Sequence, residues 1–157
     1  MLTLKKMTRE LCHEYFMHFE NDAAVFEDEK MCGQYQYSED KVERYIQDQQ
    51  QDHRIVFMIM QDNKPIGEIK IKEIDERKGS CFLGIHLQNE AVKGKGIGTL
   101  AEQMAIEYIW ENLKLSVIFA DVLRKNKRSI HVLEKNGFKF VKKDEKFCYY
   151  ELRRGIV

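Results

Sequence analysis

The chain has 157 residues, enough for one domain with a sizeable core and too few for two comfortable ones. Hydrophobic residues make up 43% of it and charged residues 33%, which is typical of a globular protein and argues against extended disorder. Lysine plus arginine and aspartate plus glutamate both number 26, so no overall positive charge is available to attract nucleic acid. We therefore expect one domain, residues 1–157, that does not bind nucleic acid and whose anion sites come from local clusters.

The cysteines and the apolar runs exclude two further classes of protein. Cys12, Cys32, Cys81 and Cys148 are widely spaced, with no CxxC pair and no histidine at metal-ligand spacing. We expect reduced thiols, a cytoplasmic location and no metal site. No apolar run approaches the roughly 18 residues of a membrane span, and charges interrupt the apolar runs near the N-terminus. We therefore expect neither a secretory signal nor a transmembrane helix.

The first part of the chain predicts a strand followed by two helices. "MLTLKKM" alternates like a strand, and "TRELCHEYFMHFEND" has helical spacing behind a Thr8 cap. Residues 23 to 37 have no clean period and predict a loop or short helix. Ser38 then caps a second helix, "EDKVERYIQDQQQ".

The middle of the chain predicts a three-stranded meander. "RIVFMIM" is an apolar run of strand length, and "IGEIKIKEI" alternates strictly, which predicts an antiparallel hairpin with one solvated face. After the turn "DERKGS", a third strand follows as "CFLGIHL".

The last part of the chain predicts two helices among three strands. The glycine-rich segment "KGKGIGT" opens a helix, and "LSVIFADV" follows as a strand that should run parallel to "CFLGIHL" because a helix separates them. Asn126 caps a short helix, "KRSIHVLEKN", that Gly137 closes. "FKFVKK" and "KFCYYELR" form the final strand pair.

The glycine-rich segment predicts an anion site. A helix N-terminus offers unpaired N–H groups and a partial positive charge. Gly94, Gly96 and Gly98 remove the Cβ atoms that would block a phosphate, and Lys93 and Lys95 add two positive charges. A solvated turn before a helix is the alternative interpretation.

Known nucleotide-binding motifs differ in how well they fit this segment. A P-loop requires GxxxxGK[ST], which is missing. The dinucleotide fingerprint is met in its alanine-ending form by Gly96, Gly98 and Ala101, with Asp121 placed for a ribose contact. Too little chain follows Asp121 for the usual further βα units, but a nicotinamide-dependent oxidoreductase stays open as an alternative.

"KGKGIGT" resembles the pyrophosphate loop of the GNAT superfamily of acetyl-CoA-dependent N-acetyltransferases, with Lys93 in place of the usual Gln or Arg. "NKRSIHVLEKNGFKF" resembles the Asn, two residues, Ser or Ala, helix and Gly-Phe element of the same superfamily. "PIGEIKI" and "SED" are most similar to the branch of ribosomal-protein N-terminal and spermidine acetyltransferases. The resemblance implies an α/β fold with a mixed, mostly antiparallel sheet of six to seven strands, splayed between strands 4 and 5 and flanked by about four helices.

The resemblance also implies an activity and a cofactor site. Acetyl-CoA would donate its acetyl group to a primary amine, either a small molecule or a peptide N-terminus. The residues implied to hold acetyl-CoA are His86, Leu87 and Gln88 on the fourth strand, Lys93, Gly94, Lys95, Gly96, Ile97, Gly98 and Thr99 in the loop, and Asn126 and Ser129 beyond it. No metal is implied, and a homodimer is possible.

Both customary proton-transfer positions of the family differ in this chain. Leu133 stands where many relatives have a tyrosine acid, and Phe82 where this branch often has a glutamate. An alkyl amine with a pKa near 10.4 is mostly protonated at neutral pH, so a base is needed. We consider His86 and Glu68 as catalytic bases, with Glu68 expected to face solvent; Tyr149 and Tyr150 are further candidates, of which one should be core. A non-catalytic acetyl-CoA sensor or scaffold is the alternative function.

The acceptor side of the site is less well marked. An acidic cluster should attract a cationic amine. Its members are Glu20, Asp22, Glu27, Asp28 and Glu29. Tyr35 and Tyr37 could line the entrance or fill core. The sequence leaves the identity of the amine open.

Overall fold

The computed structural model describes residues 1–26, 28, 30 and 32–155. Seven strands form a single sheet in the order β1-β2-β3-β4-β5-β7-β6. The strands are β1 (Leu2–Lys6), β2 (Ile55–Gln61), β3 (Lys64–Asp75), β4 (Ser80–Leu87), β5 (Val117–Leu123), β6 (Lys139–Lys143) and β7 (Phe147–Arg153). The helices are α1 (Arg9–Met17), α2 (Glu39–Gln51), α3 (Ile97–Asn112) and α4 (Lys127–Lys135), with short 3-10 turns at Ala23–Val25 and Glu90–Val92.

Local side-chain chemistry sets several of the helix boundaries. The side chains of Thr8, Ser38 and Asn126 accept hydrogen bonds from backbone N–H groups in the first turns of α1, α2 and α4, as predicted. Gly137, directly after the α4 cap residue, has φ +90, as expected of a helix stop. α1 ends at Met17, earlier than the predicted segment.

The parallel pair in the middle of the sheet is short. β4 pairs with β5 only through Ser80↔Val117, Cys81↔Ile118 and Phe82↔Phe119. The next residues of β4, Leu83–Leu87, have no register partner on β5, so the strands separate. The five other pairings in the described sheet are antiparallel. The predicted mixed sheet with a splay between strands 4 and 5 is therefore confirmed, and the doubly wound parallel sheet required by the nicotinamide alternative is not present in this part of the chain.

Two cores lie on opposite faces of the sheet. α3 covers one face, where Ile69, Ile71 and Ile118 are fully buried beside Ala101 and Ile109. α1 and α2 cover the other face over β2, with Cys12, Tyr15, Val42 and Met58 almost completely buried. None of the described helices is both long and apolar enough to span a bilayer.

The predicted solvated face of β3 is wrong. Residues from Pro65 to Ile69 are all buried, including Glu68. The alternation in "IGEIKIKEI" is real, but Glu68 and Lys70 on its polar side lie against Tyr45 of α2 instead of in water. A strand sequence cannot show which helices will cover it.

Candidate active site

The glycine loop and the start of α3 form an open backbone surface. Gly94 and Gly96 have φ +74 and +77, a left-handed conformation that glycine adopts at little cost. Gly96 is the N-cap of α3 and, lacking a side chain, gives it no side-chain cap, unlike the capping residues of the other α-helices in the described chain. The N–H groups of the first turn, Ile97, Gly98 and Thr99, have no intrahelical acceptor.

A cavity of about 340 Å³ lies against this surface. It brings together most of the predicted cofactor residues: His86, Leu87, Lys93, Gly94, Gly96, Gly98, Thr99, Asn126 and Ser129. A Cβ added to Gly96 would meet no described atom within 4 Å, so the space beside the Gly96 backbone is open to a ligand. Asn126 and Ser129 line the cavity from the start of α4, where the Ser129 N–H donates to Asn126 Oδ1.

Three predicted cofactor residues do not line this cavity. Gln88 is 6% exposed, and its Nε2 donates to the Tyr15 carbonyl, so its side chain points into α1. Ile97 is buried in the α3 core, and Lys95 points to solvent at the loop surface. The backbone of residues 95 and 97 lies between Gly94, Gly96 and Gly98, which do line the cavity. The Gln88 carbonyl is already engaged, because it accepts a hydrogen bond from the Glu20 N–H.

Lys93 is not the free cation that the sequence suggested. Its Nζ lies 2.6 Å from Asp22 Oδ2 and 3.2 Å from Glu90 Oε1, and Glu90 also pairs with Arg128 at 3.2 Å. Burial alone would raise the pKa of Asp22, but hydrogen bonds from Lys93 and the Ala24 N–H outweigh it and hold the pKa below its ordinary value. Asp22 is therefore an ionised carboxylate, and its ion pair with Lys93 holds the loop in place at the wall of the cavity.

Three cationic or titratable side chains on α4 were missed as site residues. Arg128, His131 and Lys135 line the same cavity as Asn126 and Ser129. Their spacing of three and four residues places them on one helical face, which was available from the sequence. His131 is exposed and stands at the rim of the cavity.

A second cavity, about 400 Å³, occupies the splay between β4 and β5. It shares Val25, Ile85, His86, Asn126 and Ser129 with the first, so the two adjoin. Its walls include Lys72, Glu73, Phe82, Leu83, Gly84, Glu102, Ala120, Asp121, Val122, Leu133 and Phe147. His86 lies where the two cavities meet.

The two predicted bases occupy different environments. Glu68 is directly opposite His86 in the β3–β4 register, but it is 4% exposed and lines neither cavity. Tyr45 Oη donates to Glu68 Oε2 at 2.7 Å, and Lys70 Nζ lies 3.7 Å from Glu68 Oε1. The expectation that Glu68 faces solvent is wrong, because α1 and α2 pack over it.

The environment of His86 favours its neutral form. Burial lowers the pKa of His86 below its ordinary value of 6.5, and the Glu68 carboxylate opposes this in part. A histidine with a lowered pKa is unprotonated at neutral pH and can accept a proton.

Of the two further base candidates on the last strand, Tyr149 and Tyr150, one lies in the core, as expected. Tyr150 is 5% exposed in the core. Tyr149 lies on the other side of β7, opposite Asp121, and its Oη donates to Asp144 Oδ2 at 2.5 Å. This hydrogen bond raises the pKa of Tyr149 to about 12. Leu133 is buried, and the ring centroids of Phe82 and Phe119 lie 5.4 Å apart with the two rings tilted.

The predicted acidic cluster is only partly described. Glu20 and Asp22 line the first cavity, Asp28 is exposed, and Glu27 and Glu29 lie outside the described residues. Tyr35 packs at 5.1 Å from the Phe19 ring, and Tyr37 Oη lies 2.6 Å from His13 Nδ1. In the described part of the chain, no group of three or more His, Cys, Asp or Glu side chains could hold a metal ion.

Comparison with known proteins places this geometry in a family. Residues 1–139 match the acetyltransferase (GNAT) domain family. The acetyltransferase PseH of Campylobacter jejuni is 27% identical over 99 residues, which cover 63% of this chain and 60% of PseH. The probable N-acetyltransferase YjcK of Bacillus subtilis is 37% identical over 78 residues, which cover 49% of this chain and 42% of YjcK. The aligned segments thus span less than two thirds of either relative.

Solved structures share the fold. The C. jejuni PseH structure in complex with acetyl coenzyme A superposes with a TM-score of 0.73 at 21% identity, covering 99% of this chain and 100% of that one. A chimera of the Vibrio cholerae spermidine N-acetyltransferase SpeG and hSSAT gives 0.79 at 20% identity, covering 97% and 95%. Because the family match spans well over half of its length, the chain belongs to the acetyltransferase (GNAT) domain family.

Proposed function

We propose that this protein transfers an acetyl group from acetyl-CoA to a primary amine. The observation that supports this most directly is the α3 N-terminus: it has no side-chain cap, begins with left-handed glycine and opens on a cavity beside the splayed strands. In this arrangement, an anion site at the helix N-terminus adjoins a slot between the splayed strands that can hold an extended chain.

The residues present fit coenzyme A. The N–H groups of residues 94 to 99 would hold the pyrophosphate, because the loop glycines leave the approach to the backbone open. Arg128, His131 and Lys135 would add positive charge along the α4 wall. Lys93 would act mainly by holding the loop through Asp22 and Glu90.

The separated edge of β4 would hold the pantetheine arm. From Leu83 to Leu87 this edge has lost its β5 partner, so its backbone groups can pair with an amide-containing chain as with an added strand. His86 and Leu87 would contact the arm from β4, and Asn126 and Ser129 from α4.

We assign the base to His86 rather than Glu68. When bound, acetyl-CoA supplies the reactive thioester, and the chain must remove a proton from the incoming amine. His86 lies where the two cavities meet and is held neutral by burial, whereas Glu68 lies behind it and lines neither cavity. Glu68 would position His86 across the strand pair and limit the fall in its pKa.

The amine would enter through the splay cavity. Asp121 and Glu73 line this cavity and supply negative charge, while Phe82 and Phe147 supply ring surface. These groups suit a primary ammonium on a partly apolar molecule.

We further propose that residues 1–157 act as one cytoplasmic domain, which can form a homodimer.

Binding of acetyl-CoA is tested with two matched glycine variants. Gly96→Ala and Gly137→Ala each put a side chain at positive φ, so both should lose comparable stability. Only Gly96 lines the cofactor cavity. We expect Gly96→Ala to weaken acetyl-CoA binding about tenfold or more in isothermal titration and Gly137→Ala to leave it within about twofold. Equal affinities in both folded variants would refute the site.

Catalysis is tested by thiol release. Acetyl-CoA is mixed with the protein and a panel of amines, including spermidine, an aminoglycoside and a peptide with a free N-terminus. Release of free coenzyme A with at least one amine, lost in His86→Gln, is the expected result. Tight binding of acetyl-CoA without release in any mixture would favour the sensor or scaffold alternative.

A further inference from the structure

Glu102 is a buried carboxyl group that the proposed mechanism has not used. It lies on α3, is 2% exposed and lines the splay cavity among Leu83, Ala120 and Leu133. A carboxyl group in apolar surroundings without a cationic partner is costly to keep unless it is protonated or functional.

Asn136 fixes one oxygen of this carboxyl group. The Asn136 amide donates to Glu102 Oε1 at 3.2 Å and to the Thr99 carbonyl at 3.1 Å, bridging α4 to the first turns of α3. This is the hydrogen bond that the described residues give to Glu102, and it leaves Oε2 available.

Leu133, like Glu102, is part of the wall of the splay cavity. Leu133 and Asn136, the residue that caps the end of α4, are three residues apart, so they lie on the same side of the helix as the α3 contacts of Asn136. A leucine is shorter than the tyrosine that the family resemblance implies for many relatives at the Leu133 position. Both Leu133 and Glu102 line the splay cavity, one from each helix.

We propose that Glu102 is the catalytic acid of the transfer, protonating the departing sulfur of coenzyme A from α3 in place of the missing tyrosine. The inference rests on the proposed function. The amine nitrogen forms its bond to the acetyl carbon, the carbon–sulfur bond breaks with its electron pair on sulfur, and the Glu102 O–H proton moves to that sulfur. Glu102 is left as a carboxylate, and the proton lost by the amine leaves through His86.

The protonation state of Glu102 suits this role. Burial raises the pKa of Glu102 to about 7, although the hydrogen bond from Asn136 lowers it in part. A substantial fraction is therefore protonated at neutral pH. The other titratable groups lining the cavity are Lys72, Glu73, His86 and Asp121, on β3, β4 and β5.

The test uses free coenzyme A and needs no acceptor. The pKa of the bound thiol is measured from its thiolate ultraviolet absorbance in wild type, Glu102→Gln and Glu107→Gln. Glutamine keeps the shape and can accept the Asn136 hydrogen bond, and Glu107 is an exposed carboxyl group on the same helix. A carboxylate beside the sulfur disfavours the thiolate, so we expect the thiol ionisation constant to rise about tenfold in Glu102→Gln only.

Turnover gives the second readout. With an amine found active in thiol release, Glu102→Gln should lower kcat by roughly 100-fold and leave the KM for acetyl-CoA within about twofold. Adding Leu133→Tyr to Glu102→Gln should restore part of kcat. An unchanged bound-thiol pKa in Glu102→Gln, with coenzyme A still bound, would overturn the role of Glu102. Failure of the wild type to bind coenzyme A would instead refute the proposed function and this inference with it.

Discussion

Gly67 lies on β3 directly against β4, the strand that carries His86, and replacing it with alanine tests that packing. Gly67 pairs with Ile59 on one side and Leu87 on the other. An added Cβ would lie 2.7 Å from Ile59 Cδ1, 2.9 Å from the His86 carbonyl oxygen and 3.0 Å from Leu87 Cδ2. The Ile59 and Leu87 methyl groups can rotate away, but the His86 carbonyl is backbone within the sheet and cannot move alone.

The expected cost follows from this overpacking. Inserting one methyl group into a filled core typically costs about 1–3 kcal/mol. We expect Gly67→Ala to lower the free energy of unfolding by about 2 kcal/mol. For a chain of this size, each kcal/mol lowers Tm by roughly 2–4 °C. Because the displaced carbonyl belongs to His86, thiol release should also fall.

Gly84→Ala is the matched control. Gly84 lies on β4, and a Cβ there meets no described atom within 4 Å. We expect its stability to stay within about 0.5 kcal/mol of wild type. Urea unfolding of both variants at one pH provides the comparison. If Gly67→Ala proves as stable as Gly84→Ala, the close approach of β3 to the His86 backbone is incorrect.

Three further substitutions test the buried polar groups. Tyr45→Phe removes the hydroxyl that donates to buried Glu68, so unfolding by urea should show a loss of about 1.5–3 kcal/mol; wild-type stability would contradict that hydrogen bond. The pKa of His86 in the folded protein lies below its ordinary 6.5, so neutral His86 favours the folded state above about pH 6.5 and this contribution is lost as the pH falls. Between pH 7 and pH 5, the free energy of unfolding measured in urea should therefore fall less in His86→Gln than in the wild type. The folded pKa of Glu102 is about 7 against an ordinary 4.5, so its contribution is lost as pH rises through that interval. Glu102→Gln should gain roughly 3 kcal/mol on wild type between pH 4 and pH 8, and a constant difference would show that Glu102 ionises normally.

The sequence by itself determined the elements and the glycine loop. Caps, turn residues and hydrophobic period act within a few residues of one another, so Ser38, Asn126 and Gly137 set helix boundaries that local reasoning finds. The parallel course of β4 and β5 followed equally well, because the intervening helix leaves few other connections.

Only the tertiary structure decided what the charged side chains near the site do. Glu68 is buried because α1 and α2, far away in sequence, cover its face of β3. Lys93 forms an ion pair with Asp22, 71 residues earlier, and Glu102 accepts a hydrogen bond from Asn136, 34 residues later. The charge and pKa of a side chain depend on which groups the fold brings within a few ångströms, and local periodicity contains no record of those partners.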